Sequence, residues 1–142
     1  MSDFWLIDNS AWSRRFADYL NFELADEFAD DLEAGRLIVS LPFLMEAGYS
    51  ARDSEEHRSL MSLFQTLPSI RIDSSIEDRT IDAQTQLVRS GHHRIPPADV
   101  LIAAAADIRG HGVLHYDAHY DLILQQTNLT FVSKWLAPKG SI

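Results

Sequence analysis

The sequence contains no cysteine, which excludes disulfides, a thiolate nucleophile and cysteine-ligated zinc. A metal ion would therefore need oxygen or imidazole ligands. The chain also lacks the roughly twenty consecutive apolar residues of a membrane helix, and its first residues show neither the basic start nor the apolar stretch of a secretory signal. From these absences we expect a cytoplasmic protein with no membrane segment.

Basic residues are scarce: 12 lysines and arginines stand against 21 acidic residues, for a formal charge of −9. This balance argues against a protein that coats nucleic acid through bulk electrostatics. The acidity is either an ordinary solvated surface or is partly gathered in a pocket where divalent cations neutralise it. With 142 residues, 46% hydrophobic, and no repeat or linker, we expect one domain spanning residues 1–142.

Short apolar runs alternate with amphipathic stretches along the chain, a pattern typical of strands separated by helices. Two helices in succession, between about residues 42 and 67, interrupt the alternation. The pattern predicts a three-layer α/β/α, Rossmann-like fold with a mostly parallel sheet. The five predicted strands are Phe4–Ile7, Arg36–Ser40, Ser69–Ile72, Gly112–Tyr116 and Leu129–Val132.

Two acidic residues directly follow predicted strands: Asp8 after the first and Asp117 after the fourth. In open α/β sheets, ligands bind beyond the carboxyl ends of the strands, near the point where strand order reverses. If these two strands are neighbours, the side chains meet at one edge. The alternative is that each aspartate merely caps the following helix.

Two further carboxylates lie on apolar helical faces. Asp99 falls in the first turn of a predicted helix and shares its face with Ile102, Ala103 and Ala106. A favourable interaction with the helix dipole could alone explain an acid at this position. An acid aligned with a buried apolar stripe also carries a desolvation cost unless a partner compensates it. Glu46 lies among apolar residues in the same way, so we expect both side chains to face inward or line a cleft.

Four carboxylates in one cleft would repel one another unless a divalent cation neutralised them, and hard cations such as magnesium prefer oxygen ligands. Such a site can activate water and stabilise the leaving oxygen of a phosphodiester. The residues alone therefore indicate metal-dependent phosphodiester chemistry.

Four segments in order resemble the PIN-domain ribonucleases, and within them the VapC toxins of toxin–antitoxin pairs. They are residues 6–12 (LIDNSAW), 44–47 (LMEA), 96–106 (PPADVLIAAAA) and 113–121 (VLHYDAHYD). Each segment is a weak signal, whereas the ordered set of four is specific and covers essentially the whole chain.

The resemblance implies a magnesium- or manganese-dependent endoribonuclease that cuts RNA, commonly transfer or ribosomal RNA, leaving a 5′-phosphate and a 3′-hydroxyl. It implies a VapB-type antitoxin as partner, and a homodimer or a toxin–antitoxin hetero-oligomer. By motif, the catalytic and metal-binding acids are Asp8, Glu46, Asp99 and Asp117, with Ser10 and Asp121 as supporting residues. One departure is His115, which stands where many family members carry threonine or serine, and this puts the contact of that hydroxyl in doubt.

Three alternatives remain. A Rossmann-like phosphatase would use Asp8 as nucleophile, but such enzymes usually have a second aspartate where this chain has Ser10. A PIN-like module that binds RNA or protein without cutting it would not need the complete quartet. A zinc site of His111, His115 and His119 is disfavoured. His115 is predicted in a strand and His119 in the following helix, so their four-residue spacing does not bring them to one helical face.

Overall fold

The protein, analysed as a computed structural model, is described over residues 3–92 and 94–142. A four-stranded parallel sheet runs through the chain in the order β2-β1-β3-β4. The strands are β1 (Trp5–Ile7), β2 (Leu37–Ile38), β3 (Gly112–His115) and β4 (Val132–Trp135). The helices are α1 (Asn9–Trp12), α2 (Phe22–Glu33), α3 (Leu41–Tyr49), α4 (Ser54–Phe64), α5 (Ser74–Arg89), α6 (Pro97–Arg109) and α7 (His119–Gln126).

Both faces of the sheet are covered, as expected for parallel strands, which are buried on either side. Alternate residues of β1 point to opposite faces: Leu6 belongs to one apolar cluster and Ile7 to the other. The first cluster is built largely from α5, α6 and α7, and the second from α1, α2, α3 and α4. The predicted three-layer α/β/α architecture is confirmed.

The strand order places the candidate site. Strand β1 lies between β2 and β3, so the chain moves to one side of β1 for β2 and to the other side for β3. The carboxyl ends of β1 and β3 are adjacent, with Ile7 paired to Leu114. The residues that follow these strands therefore lie at the point where ligands bind in open α/β sheets.

The prediction of five strands was wrong. The segment 69–72 makes a single parallel bridge, between Val39 and Ser69, before Asp73 caps α5. The chain therefore turns away too early for a ladder to form, and Ile70 and Ile72 pack against the first apolar cluster.

The last strand lies three residues further along than predicted, starting at Val132 instead of Leu129. Leu129 and Phe131 are buried in the first apolar cluster, before the strand begins. The apolar run that suggested a strand is thus largely a core segment. In the described part of the chain, no helix combines the length and the apolar character needed to span a bilayer.

Candidate metal and catalytic site

Asp8 follows β1 and is 3% exposed. Its Oδ2 accepts hydrogen bonds from the backbone N–H of Ser10, at 3.0 Å, and from the Ser10 hydroxyl. Its Oδ1 accepts a 2.7 Å bond from the hydroxyl of Tyr120, a fully buried residue of α7. Asp8 therefore does cap α1, and its side chain is at the same time fixed at the carboxyl edge of the sheet.

Asp99 lies in the first turn of α6 and is 6% exposed, so the inward orientation predicted from its apolar face is found. Its Oδ2 lies 3.0 Å from Nδ1 of His119. Burial, with repulsion from Asp8 and to a lesser degree from Asp117, raises the pKa of Asp99 to about 7, against the opposing hydrogen bond from His119. The negative charge of Asp8 therefore acts on Asp99 and disfavours its ionised form.

Asp117 follows β3 and is half-buried. Its Oδ1 accepts a 2.9 Å hydrogen bond from the backbone N–H of His119, as a cap does, and lies 3.2 Å from Nδ1 of the same residue. One ligand atom each of Asp99, Asp117 and His119 lies within 4.8 Å of the others. This spacing is compatible with a shared cation.

Glu46 is contributed by α3 and is half-buried. Its pKa is raised, first by burial and then by the charge of Asp8. It lines an open cavity of about 380 Å³ together with Asn9, Met45, Tyr49 and Ser50. Asp8 acts electrostatically on Asp99 and Glu46, and Asp99 and Asp117 share His119 as a neighbour. The four acids predicted from the sequence therefore form one group, with an open cavity beside Glu46.

The basic side chain beside this group is His119, which contacts Asp99 and Asp117. Over the described ranges 3–92 and 94–142, no lysine or arginine forms an ion pair with any of the four acids. Buried or half-buried carboxylates that lie near one another and lack a lysine or arginine partner fit a divalent ion such as magnesium, which prefers oxygen ligands.

No family model matches the chain. Among curated proteins, ribonuclease VapC2 of Mycobacterium tuberculosis is 35% identical over 126 residues, which cover 87% of this chain and 86% of that protein. Ribonuclease VapC51 of the same species is 34% identical over 110 residues, covering 78% and 79%. This chain belongs to the VapC family of ribonucleases.

Solved structures agree with this VapC assignment in fold. DNA-bound VapBC from Salmonella typhimurium superposes with a TM-score of 0.72 at 17% identity, covering 96% of this chain and 100% of that one. VapBC2 from Rickettsia felis, bound to a promoter DNA fragment, gives a TM-score of 0.72 at 13% identity and covers 93% and 98%.

The supporting residues of this VapC chain occupy different places. The Ser10 hydroxyl donates to Asp8 and accepts a 2.9 Å bond from the backbone N–H of Tyr116, which ties Asp8 to the end of β3. Asp121 instead faces β4, where its oxygens accept from Ser133 Oγ at 2.7 Å and Trp135 Nε1 at 2.8 Å. Ser10 thus touches the carboxylate group directly, whereas Asp121 is bound to the neighbouring strand.

The structure shows which contact His115 makes at the position where many family members carry threonine or serine. The ring is fully buried, and its Nδ1 accepts a 3.1 Å hydrogen bond from the backbone N–H of Asp117. A serine or threonine hydroxyl can make the same bond to the N–H two residues on. His115 therefore provides an acceptor where a hydroxyl is usual.

Two residues at the VapC site were not predicted. Tyr120 holds Asp8 and His119 contacts both Asp99 and Asp117. Tyr120 could have been predicted, because it shares an apolar face of α7 with Ile123, and both are buried. A buried tyrosine hydroxyl usually needs a polar partner, and Asp8 is that partner here. The sequence pattern indicates His119 only as a member of a disfavoured zinc trio. In the structure the three histidines make separate contacts, and His111 packs on Phe4 with ring centroids 5.8 Å apart.

Proposed function

We propose that residues 1–142 act as a single PIN domain in which Asp8, Glu46, Asp99 and Asp117 hold a divalent cation, magnesium or manganese, for endonucleolytic hydrolysis of RNA. Membership of the VapC family gives the reaction class. The observation that carries the site assignment is the burial of Asp8 and Asp99 beside further acids. Among the described residues, no lysine or arginine forms an ion pair with any of the four acids. Structural carboxylates in such surroundings are normally paired.

Each side chain has a distinct task in this proposal. Asp8 is held rigidly by Ser10 and Tyr120 and offers its remaining acceptor capacity to the cation. Asp99 and Asp117, whose Oδ2 and Oδ1 lie 3.0 and 3.2 Å from His119 Nδ1, offer the other carboxylate oxygens of the site. When bound, the cation supplies charge neutralisation and activation of water for in-line displacement at phosphorus.

Asp99 also sets a condition for binding. With its pKa raised to about 7, the carboxyl group holds a proton in slightly acidic solution. A cation must displace this proton, so metal binding weakens as pH falls. At neutral pH, an approaching cation favours the ionised form of Asp99 and so helps this carboxyl group to lose its proton.

A VapB-type antitoxin is the proposed protein partner. The structural relatives include toxin–antitoxin complexes, and an acidic chain with formal charge −9 suits a basic partner segment. The assembly would be a homodimer or a toxin–antitoxin hetero-oligomer, and the proposed location is the cytoplasm.

The direct test is to incubate the purified chain with total transfer and ribosomal RNA in magnesium, manganese, calcium or chelator. We expect discrete cleavage products with a 5′-phosphate in magnesium or manganese and intact RNA in chelator. Cleavage that is equally fast in chelator would contradict the proposed site. Hydrolysis of a small phosphate ester without RNA cleavage would favour the phosphatase alternative, and RNA binding without cleavage in any metal would favour the binding module.

RNA binding can be separated from cleavage with calcium, an oxygen-preferring cation with a different coordination requirement. A surface of charge −9 repels a polyanion. We therefore expect RNA to bind more tightly in calcium than in chelator at equal ionic strength. Equal affinities would mean that recognition depends on a basic surface and that the cation acts only in the chemical step.

A further inference from the structure

A continuous series of hydrogen bonds runs from the backbone of Asp117 to the side chain of Asp121. The Asp117 N–H donates to Nδ1 of His115 at 3.1 Å. The other ring nitrogen, Nε2, lies 2.6 Å from Oγ of Ser133. The Ser133 hydroxyl donates to Oδ1 of Asp121 at 2.7 Å, and Nε1 of Trp135 donates to Oδ2 at 2.8 Å.

The series has only one consistent direction. A backbone N–H can only donate, so Nδ1 of His115 carries no proton and the neutral ring is protonated on Nε2. That proton points to Ser133 Oγ, which must accept it and direct its own hydrogen elsewhere. The acceptor of that hydrogen is the Asp121 carboxylate, which can only accept when ionised. Asp121, by accepting the serine hydrogen, therefore favours the same His115 tautomer that the Asp117 N–H requires.

We propose that Asp121, Ser133 and His115 are positioning residues that fix Asp117 by imposing the Nε2-protonated tautomer on His115. The proposal rests on the proposed function, in which Asp117 is one of the metal-binding carboxylates. Second-layer contacts of this kind commonly orient the groups that bind a metal.

The packing around the ring keeps this arrangement rigid. His115 is fully buried and its ring centroid lies 4.8 Å from that of Tyr120 and 5.0 Å from that of Trp135. Tyr120 is the residue that holds Asp8. A displaced His115 ring would consequently disturb the supports of both Asp8 and Asp117.

The variant Asp121→Asn tests the direction of the series with almost no change in volume. Its amide must place the NH₂ group against either Trp135 Nε1–H, which cannot accept, or Ser133 Oγ, which can. With NH₂ facing Ser133, the serine hydroxyl turns its hydrogen to Nε2 of His115, and the ring proton moves to Nδ1. There it opposes the Asp117 N–H, much as an amide in place of the catalytic-triad aspartate forces the wrong histidine tautomer.

The first measurement is the imidazole tautomer, read from long-range proton–nitrogen correlation spectra of the ¹⁵N-labelled, metal-free full chain. The His115 signals are identified by their loss in His115→Asn. We expect Nε2–H in the wild type and Nδ1–H in Asp121→Asn. An Nδ1–H ring in the wild type would overturn the proposal without any variant needing to fold.

The second measurement is manganese affinity by calorimetry. We expect Asp121→Asn to bind manganese about tenfold more weakly, as second-layer changes typically do. Asp31→Asn is the matched control: it removes a different carboxylate, a buried one paired with Arg36, and should leave manganese affinity within about twofold of the wild type.

Two substitutions of His115 separate positioning from packing. In His115→Asn the side-chain oxygen can still accept the Asp117 N–H, as in an Asx-turn, so most of the manganese affinity should be retained. In His115→Leu the acceptor is lost although apolar volume is kept, and affinity should fall about tenfold. Equal losses in the two variants would overturn the proposal.

The outcomes also separate this inference from the function on which it rests. If the wild type cuts RNA and binds manganese while Asp121→Asn and His115→Leu bind it equally well, the positioning role is wrong and the proposed function stands. If the wild type neither binds manganese nor cuts RNA, the proposed function fails and the positioning role fails with it.

Discussion

The two edges of the sheet differ in the partners of their buried acids. At the edge where the strands begin, Asp31 is 7% exposed and accepts from Arg36 Nε at 2.8 Å, with Lys134 Nζ 3.8 Å away. At the edge where the strands end, Asp8 and Asp99 are similarly buried, at 3% and 6% exposure. Their polar contacts are hydroxyls, backbone N–H groups and a histidine.

Burial therefore does not distinguish Asp31 from the proposed metal ligands Asp8 and Asp99, whereas the presence of a lysine or arginine partner does. Cavity size is no better guide, because the cavity at the starting edge is larger, about 550 Å³, than the one beside Glu46. The starting edge contains its own cations, Arg36 and Lys134, whereas in the proposed function the cation of the ending edge is a bound metal ion.

The sharpest test of this contrast compares Asp8→Asn with Asp31→Asn. We expect Asp8→Asn to lower the RNA cleavage rate at least about a thousandfold, since several kcal/mol of transition-state stabilisation depends on the cation. Asp31→Asn should keep the rate but lower the free energy of unfolding by about 1 to 3 kcal/mol, through loss of a charged hydrogen bond. Cleavage assays and urea unfolding measure the two effects, and a fully active, folded Asp8→Asn protein would refute the site.

The second prediction concerns stability against pH without metal. The pKa of Asp99 is raised to about 7 from its ordinary 3.8, so between these values the folded state binds more protons than the unfolded state. The free energy of unfolding should accordingly fall as pH rises from about 4 to 7 and then level off. The fall should amount to a few kcal/mol, at about 1.4 kcal/mol for each pKa unit.

Urea unfolding in chelator across this pH range measures the fall, with Asp99→Asn as the control, in which most of it should disappear. Magnesium should restore stability mainly at the upper end of the range, where the carboxylates are ionised. If chelator and magnesium give the same profile, the acids are not the cation site.

Tyr120→Phe should have a smaller effect. It removes the hydroxyl that donates to Oδ1 of Asp8 but keeps the buried ring, so the free energy of unfolding in magnesium should fall by about 1 to 3 kcal/mol. In chelator the cost should be larger, because the cation then gives Asp8 no compensation. Unfolding curves in both conditions test this, and identical costs would indicate that Asp8 does not bind the cation.

The smallest effect is expected at the starting edge, where Glu27 pairs with Lys134 at 2.6 Å. Glu27 is half-exposed, so Glu27→Gln should change the free energy of unfolding by at most about 1 kcal/mol. RNA cleavage and manganese affinity should stay at wild-type values. A loss of manganese affinity in Glu27→Gln would show that both edges take part in metal binding and would remove the contrast between them.

The four acids stand out in the sequence because each breaks a local pattern: an acid directly after an apolar strand, or an acid on an apolar helical face. Their role as metal ligands stays a prediction. Alternation of strands and helices likewise gave the layers correctly. The strand count failed at residues 69–72, since apolar composition does not reveal that Asp73 ends the pairing by starting α5.

The supports of the site could not be read in the same way. Tyr120 and Asp8 are 112 positions apart, and their contact depends on how α7 packs into the first apolar cluster. Ser133 and Trp135 meet Asp121 only because β4 begins at Val132, three residues later than the apolar run suggests. Contacts set by packing and register require the assembled fold.

The hydrogen bonds of Asp8 also determine its denticity. A carboxylate offers about four lone-pair positions on its two oxygens. Two donors of Ser10 occupy Oδ2, and Tyr120 occupies one position on Oδ1. About one position remains, on Oδ1, so in the proposed site Asp8 would offer a cation a single oxygen.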